Sequence, residues 1–367
     1  MANFLLHLAA TPERDEPIFQ RALQINSSLK NQPVLATFAQ HPVRAATFAR
    51  RNGSGGELAS DPASGAFLLI TGTWLHRNGY GTGNAQRLLQ RFLEVGSAAL
   101  AQELEGFFFL AACRGDGEIF AITDLVGSHH GFMRELDAGT MLSGSSAVLA
   151  ALAPYTLDEI GCQEFVRTGI IYEQRTLYNE VRKLPPATIF HFRSGRLVGE
   201  HRYWDPRALA EQPLSLTEAA DQLYEVGKNT VRRIAELYPR RLCDLTGGYD
   251  SRALGALLLG AGVEFDTTVS GPDDSADVKI SRGLAQIAGL KHSQRQRSAE
   301  LTDEDLERAF QLCDGEYDLH EYARIMRTHD AHSQHYGVTL NGSFGEVARG
   351  YWWELLTPNI GKREPLD

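Results

Sequence analysis

The sequence predicts an α+β domain over residues 1–205 followed by an α/β domain with a parallel sheet over 206–367. Three observations carry this reading. Up to about residue 205, short apolar segments are separated by Gly, Asp and Ser turns. Near WDPRALAEQPLSLTEAA the composition changes, with two prolines and the start of a long amphipathic stretch. Beyond that point strand-like and helix-like segments alternate, the order that builds a sheet covered by helices on both faces.

In the first part, GAFLLITGTWL, GFFFLAAC, GEIFAITDL and ATIFHF read as strands. AQRLLQRFLEVG reads as a helix, since Leu88, Leu89, Phe92 and Leu93 recur at helical spacing. The stretch 51–65, RNGSGGELASDPASG, is rich in Gly and Ser and is expected to be a mobile loop. Ser215 and Glu218 have capping-box spacing ahead of the first helix of the second part. From there the expected order is strand RRLCDL, a glycine turn, helix SRALGALLLGAG, strand FDTTVSG and helix DVKISRGLAQIAGL. The helices EDLERAFQLC and ARIMRTHDAHSQHYG and the strand VTLNG follow.

Composition narrows the function classes. A formal net charge of −10 disfavours general binding to nucleic acid or anionic membranes, which rests on clustered Lys and Arg. Cys113, Cys162, Cys243 and Cys313 lie far apart without CxxC pairing, so neither a zinc site nor a disulfide framework is expected. That usage fits a cytoplasmic protein, and no apolar run approaches the ~18 residues of a membrane span. The pair His129 and His130 and the trio His329, His332 and His335 do not form a metal-binding pattern, because His335 rotates off the face that His329 and His332 share.

The segment LTGGYDSR, 245–252, sits between a strand and a helix, where ligands gather in parallel sheets. Gly247 and Gly248 would let backbone N–H groups approach an anion, and the following helix start offers unpaired donors. Thr246 and Ser251 add hydroxyls, and Asp250 is a candidate magnesium ligand. A type I′ or type II turn followed by an Asp or Ser helix cap accounts for the same residues without any ligand.

This loop resembles the pyrophosphate loop of the ATP-pyrophosphatase superfamily, with Thr246 in place of its first serine. The chain as a whole resembles the asparagine synthetase family, which includes lasso-peptide cyclases. Further ordered matches are LEGFFFLAACRGDGEIFAITDLVGSHHGF, TLYNEVRKLPPATIFHFRSGRLVGEHRYWDP and TTVSGPDDSADVKISRGLAQIAGLKHS. The resemblance implies a degenerate class II glutamine amidotransferase-like domain of Ntn-hydrolase-like αββα form, then a synthetase domain of the adenine nucleotide alpha-hydrolase type. It implies ATP and Mg2+ as cofactors and amide formation through an acyl-adenylate, releasing AMP and pyrophosphate, as in asparagine biosynthesis. Thr246, Gly247, Gly248 and Ser251 would then bind pyrophosphate, with Asp250 on the metal. Asp244, Val269, Asn341 and Gly342 would contact the nucleoside, and Glu346 would be the retained catalytic acid.

Departures from the family shape the expected activity. No cysteine falls within the first hundred residues, so glutaminase activity is not expected, and the nitrogen would come from ammonia or an amine. In NGSFGEVARGYWW, Ser343 and Gly345 stand where the family has a glutamate and an aspartate. Asp314, Glu316, Asp318, Glu321 and Arg324 lie where the acceptor pocket would begin, with Tyr317, His320 and Tyr322 interleaved. The family's synthetase domain continues past the acidic loop to a late lysine, so the resemblance implies either a second polypeptide that completes the site or a longer protein of which this sequence is a piece, and a homodimer is a further possible assembly. Two other readings stay open: a peptide or natural-product macrocyclase or amidoligase, and a non-catalytic nucleotide-binding partner subunit.

Overall fold

The structure is a computed structural model, and it describes residues 3–50, 55–209, 213–296, 300–343 and 345, without the side chains of 12–14. The chain divides into two compact units, one comprising 1–211 with 301–326, the other 212–300 with 327–367.

In chain order the first unit begins β1 (Phe4–Ala9), α1 (Pro12–Lys30), β2 (Val34–Gln40), β3 (Val43–Phe48), β4 (Glu57–Asp61), β5 (Ala66–His76) and β6 (Tyr80–Gly81). It continues with α2 (Ala85–Glu103), β7 (Leu104–Cys113), β8 (Glu118–Thr123), β9 (Phe132–Leu136), β10 (Gly139–Ser143), α3 (Ser146–Ala150) and α4 (Glu159–Thr168). The strands β11 (Arg182–Lys183), β12 (Thr188–Arg193) and β13 (Arg196–Arg202) follow. One antiparallel sheet runs β11-β9-β10-β1-β3-β2 and the other β13-β12-β8-β7-β5-β4, with β6 paired to β5.

Alternation along the strands explains the layering, because successive side chains point to opposite faces of a sheet. Phe4, Leu6 and Leu8 of β1 meet Phe67, Leu69, Phe109 and Ala111 of the facing sheet, and Phe4 stacks on Phe109 with ring centroids 4.2 Å apart. Leu5 points the other way, to Phe19 and Ala22 of α1 and Val148 and Leu149 of α3. On the far face of the second sheet, Leu68, Ile70, Phe108 and Leu110 pack against Leu88, Leu89 and Phe92 of α2. The order is thus helix, sheet, sheet, helix.

One expectation for this half is corrected. The stretch expected to be a mobile loop over 51–65 contains β4, which pairs residue for residue with β5 from Glu57↔Ile70 to Asp61↔Ala66. Asp61 then accepts hydrogen bonds from the Ala63 N–H and the Ser64 hydroxyl, a side-chain cap that closes the hairpin. The helix AQRLLQRFLEVG ends at Gly96 as expected, where the backbone is non-helical at φ 78° and ψ 177°, and a second helical stretch completes α2 to Glu103 beyond that kink.

The second unit contains α5 (Leu216–Leu237), β14 (Arg241–Asp244), α6 (Tyr249–Gly260), β15 (Asp266–Ser270), α7 (Ala276–Ala288) and β16 (His292–Arg295). Next in the chain come α8 (Asp303–Cys313), which belongs to the first unit, α9 (Leu319–Ser333), which crosses the division at 326, and β17 (Val338–Leu340) of the second unit. Its sheet runs β16-β15-β14-β17, parallel throughout. The capping box at the start of α5 forms as the spacing predicts, with the Ser215 hydroxyl and the Glu218 carboxylate each accepting the other's backbone N–H. Strand β16 was not legible in KHSQR: it is a polar edge strand without apolar alternation, recruited by pairing with β15.

The segment 301–326 packs in the first unit although it follows the second unit's sheet strands in sequence. Asp314, in the left-handed conformation at φ 58°, supplies one reason. Its carboxylate is buried, pairs with the Lys30 ammonium, and accepts the Ser145 hydroxyl and the Ser146 N–H, both at 2.9 Å. The Ser146 hydroxyl in turn donates to Glu316 at 2.6 Å.

Candidate functional site

The candidate site lies in the second unit, at the carboxyl ends of β14, β15 and β17. Register brings the expected residues together. Asp244 pairs laterally with Thr268, beside Val269, and Cys243 pairs with Leu340, which leaves Asn341 next to Asp244 across the neighbouring strand ends. Leu245 N–H donates to the Thr268 carbonyl at 2.9 Å, continuing the parallel ladder one step past β14. Val269 is buried, and burial pushes the Asp244 carboxyl above the usual carboxylate range, with His329 opposing that shift.

The glycine pair does not serve the turn that would explain it without a ligand. Gly247 and Gly248 are absent from the left-handed residues, so neither a type I′ nor a type II turn is formed here. The residue that caps α6 is Gly248 itself, at φ −70° and ψ 152°, and it supplies no side-chain cap. The first turn of α6 therefore starts without the Asp or Ser cap considered from the sequence. An uncapped first turn leaves backbone donors at the positive end of the helix dipole.

Within the loop itself, three N–H groups are held by side-chain oxygens. Thr246 N–H donates to the Ser251 hydroxyl at 3.0 Å, and Gly248 N–H to the Thr246 hydroxyl at 3.0 Å. Gly247 N–H donates to the Asp277 carboxylate at 2.8 Å. The Thr246 and Ser251 hydroxyls also share a hydrogen bond of 2.9 Å. Donors expected from the sequence to be open to an anion are thus covered by side-chain oxygens. Arg252 lies alongside, its Nε 3.3 Å from the Gly248 carbonyl and its guanidinium 4.6 Å from the centre of the exposed Tyr249 ring.

The turn after β17 closes on this loop. A Cβ on Gly342 would lie 2.6 Å from the Asp250 carbonyl carbon and 2.7 Å from the Ser251 nitrogen, so only glycine permits this approach. The Asn341 side-chain oxygen accepts the Ser343 N–H at 3.1 Å and shapes the turn. Gly345 sits against the Asp250 carboxylate, where a Cβ would come within 2.5 Å. A side chain at this position, where the family resemblance places an acid, would displace Asp250. Glu346, the other expected catalytic acid, lies outside the described residues.

The acids expected near the acceptor pocket do other work. Asp314 and Glu316 belong to the buried network of the first unit, and burial raises the Glu316 carboxyl to about 7. Asp318 accepts the Glu321 N–H at the start of α9, and Glu321 pairs with Arg324 one turn on. Tyr317 stacks between His130 and Tyr322, at centroid distances of 6.3 and 5.7 Å. His129 and His130 are packed and neutral: burial lowers them to about 3 and about 4, and the His129 ring is 2.7 Å from the Thr71 hydroxyl. Asp277, which no motif marked, is the residue that sequence reading missed at the loop. It lies thirty positions from Gly247, and only the packing of α7 on β15 and β16 brings it there.

Comparison with known proteins reaches the first unit. Residues 77–204 match the glutamine amidotransferase domain family, so this part of the chain is similar to domains of that type. The match points to amide-nitrogen transfer chemistry in general. The chain is also similar to the glutamine phosphoribosylpyrophosphate (PRPP) amidotransferase from B. subtilis complexed with ADP and GMP, at 9% identity over 86% of this chain and 92% of that one, with a TM-score of 0.37. A structure described as the allosteric regulatory enzyme of purine biosynthesis is 10% identical over 86% and 78% of the two chains, with a TM-score of 0.31. No curated protein sequence matches the chain. No helix among the described residues is long and apolar enough to cross a membrane.

Proposed function

We propose that the chain is an ATP-dependent amide-forming ligase of the asparagine synthetase type, taking ammonia or an amine as nucleophile. One observation supports the reading above others. The uncapped start of α6, the Gly247-Gly248 loop and the Asn341-Gly342 turn converge at the carboxyl ends of adjacent parallel strands, the position ligands occupy in such sheets.

Bound ATP would supply the adenylyl group that activates a carboxylate, with pyrophosphate as leaving group. The chain's own residues bind and orient. Thr246, Gly247, Gly248 and Ser251 would give backbone and hydroxyl donors to phosphate oxygens once the side-chain oxygens that hold them are displaced, and the α6 dipole favours the negative charge that develops there. Asp244, Val269, Asn341 and Gly342 frame the nucleoside. Among the described residues no group of three or more His, Cys, Asp or Glu is placed to hold a metal ion. Mg2+ at Asp250 would accordingly draw its other ligands from phosphate and water, the usual arrangement for this ion. Catalysis would then be largely positioning and charge neutralisation.

Pyrophosphate release with candidate carboxylates, using hydroxylamine as a trapping amine, tests the reading. Turnover that disappears in Asp250→Ala supports it. ATP binding that depends on Asp250 without any turnover would instead identify a nucleotide-binding subunit, a reading favoured by the absence of a side chain at Gly345 beside Asp250. Turnover only with a peptide carboxylate would select the macrocyclase or amidoligase.

A further inference from the structure

Of the three side-chain oxygens that cover the loop donors, two come from the loop and α6 and are uncharged. The third is the Asp277 carboxylate, delivered from the first turn of α7, 2.8 Å from the Gly247 nitrogen. An oxygen of a phosphate group cannot take the same N–H while the carboxylate holds it. It would also approach a like charge at hydrogen-bond range. The first turn of α7 lies close against Gly247, since a Cβ there would meet Ile280 Cδ1 at 2.9 Å and Asp277 Oδ1 at 3.0 Å. The position is exposed, so the carboxylate has room to swing away or to share a cation.

We propose that Asp277 is a built-in competitor at the phosphate loop, occupying the Gly247 N–H so that pyrophosphate-type anions enter only together with a divalent cation. The cation reduces the repulsion between the carboxylate and the incoming phosphate, and bare anions are turned away. The loop would thereby select the metal-complexed form of its ligand before any chemistry. This inference rests on the nucleotide-binding reading above and adds to it a residue that decides which ionic form is accepted.

The test is calorimetric titration of the full chain with inorganic pyrophosphate, in EDTA and in excess Mg2+, for the native protein, Asp277→Asn and Asp277→Ser. Asparagine keeps the shape and serine suits the first helical turn, so thermal melts should agree for all three. The expected result is a native protein that binds well only with Mg2+, and variants whose affinity in EDTA rises by about tenfold, a gain that shrinks in high salt. Unchanged affinities in both media, alongside clear binding by the native protein, would overturn the competitor role and leave the nucleotide reading intact. Weaker binding by the variants in both media would also overturn it, making Asp277 a supporting group. Absence of pyrophosphate binding in all three proteins would sink both ideas together.

Discussion

The two units reach stability by different means. The sandwich of the first unit buries three large apolar clusters, one between its sheets and one beneath each helical layer. Among the described residues, the four-stranded sheet of the second unit has one compact cluster, built on Val231, Cys243, Leu258 and Phe265. Its strand ends are given to polar residues and close backbone approaches instead. The contrast teaches where each part is sensitive: the first to loss of apolar volume, the second to the fit of a few backbone atoms around the proposed nucleotide site.

The largest expected effect breaks the first unit. Phe109 is fully buried and stacked on Phe4, so Phe109→Ala should cost about 3–5 kcal/mol, read as a lower denaturant midpoint. A cost below about 1 kcal/mol would contradict the view of this unit as core-dominated.

A smaller effect comes from the buried network. Glu316 has an ordinary value of 4.5 and is raised by burial to about 7. The folded state therefore binds more protons than the unfolded one between these values, and its stability falls as pH rises through that window. The loss should be on the order of 2–3 kcal/mol. Glu316→Gln should flatten this part of the profile, which unfolding at pH 5 and pH 8 would reveal. An identical pH dependence in the variant would show that Glu316 titrates as an ordinary carboxylate.

The smallest stability effect should bring the sharpest functional one. Gly342→Ala pushes a methyl group into the start of α6 and should cost about 1–3 kcal/mol. ATP affinity, measured by titration, should fall much further than that cost implies, because the Asn341-Gly342 turn and the Ser251 backbone move apart. Unchanged affinity would remove this turn from the binding site.

Some of this was legible without coordinates. RRLCDL, the glycine pair and SRALGALLLGAG carry a strand, a tight passage and a helix in local chemistry, and the structure places β14 and α6 there. The pairing of β4 with β5 was hidden under a Gly- and Ser-rich composition, since a hairpin partner can hold a strand that its own residues do not announce. Strand β16 was hidden for the same reason at a polar edge.

What the sequence determined by itself was therefore local: the apolar strands β5, β7, β8 and β12, the capping box of α5, and the chemistry gathered in Thr246–Ser251. Tertiary structure alone decided three things. It showed that Gly247 answers to the closeness of Ile280 and Asp277 rather than to a left-handed turn, and it set Asp277 on the Gly247 N–H. It also carried the segment 301–326 into the first unit, where Asp314 meets Lys30, 284 positions away. The physical reason is common to all three: contacts between elements depend on packing and register at long separation, which propensity and spacing do not encode.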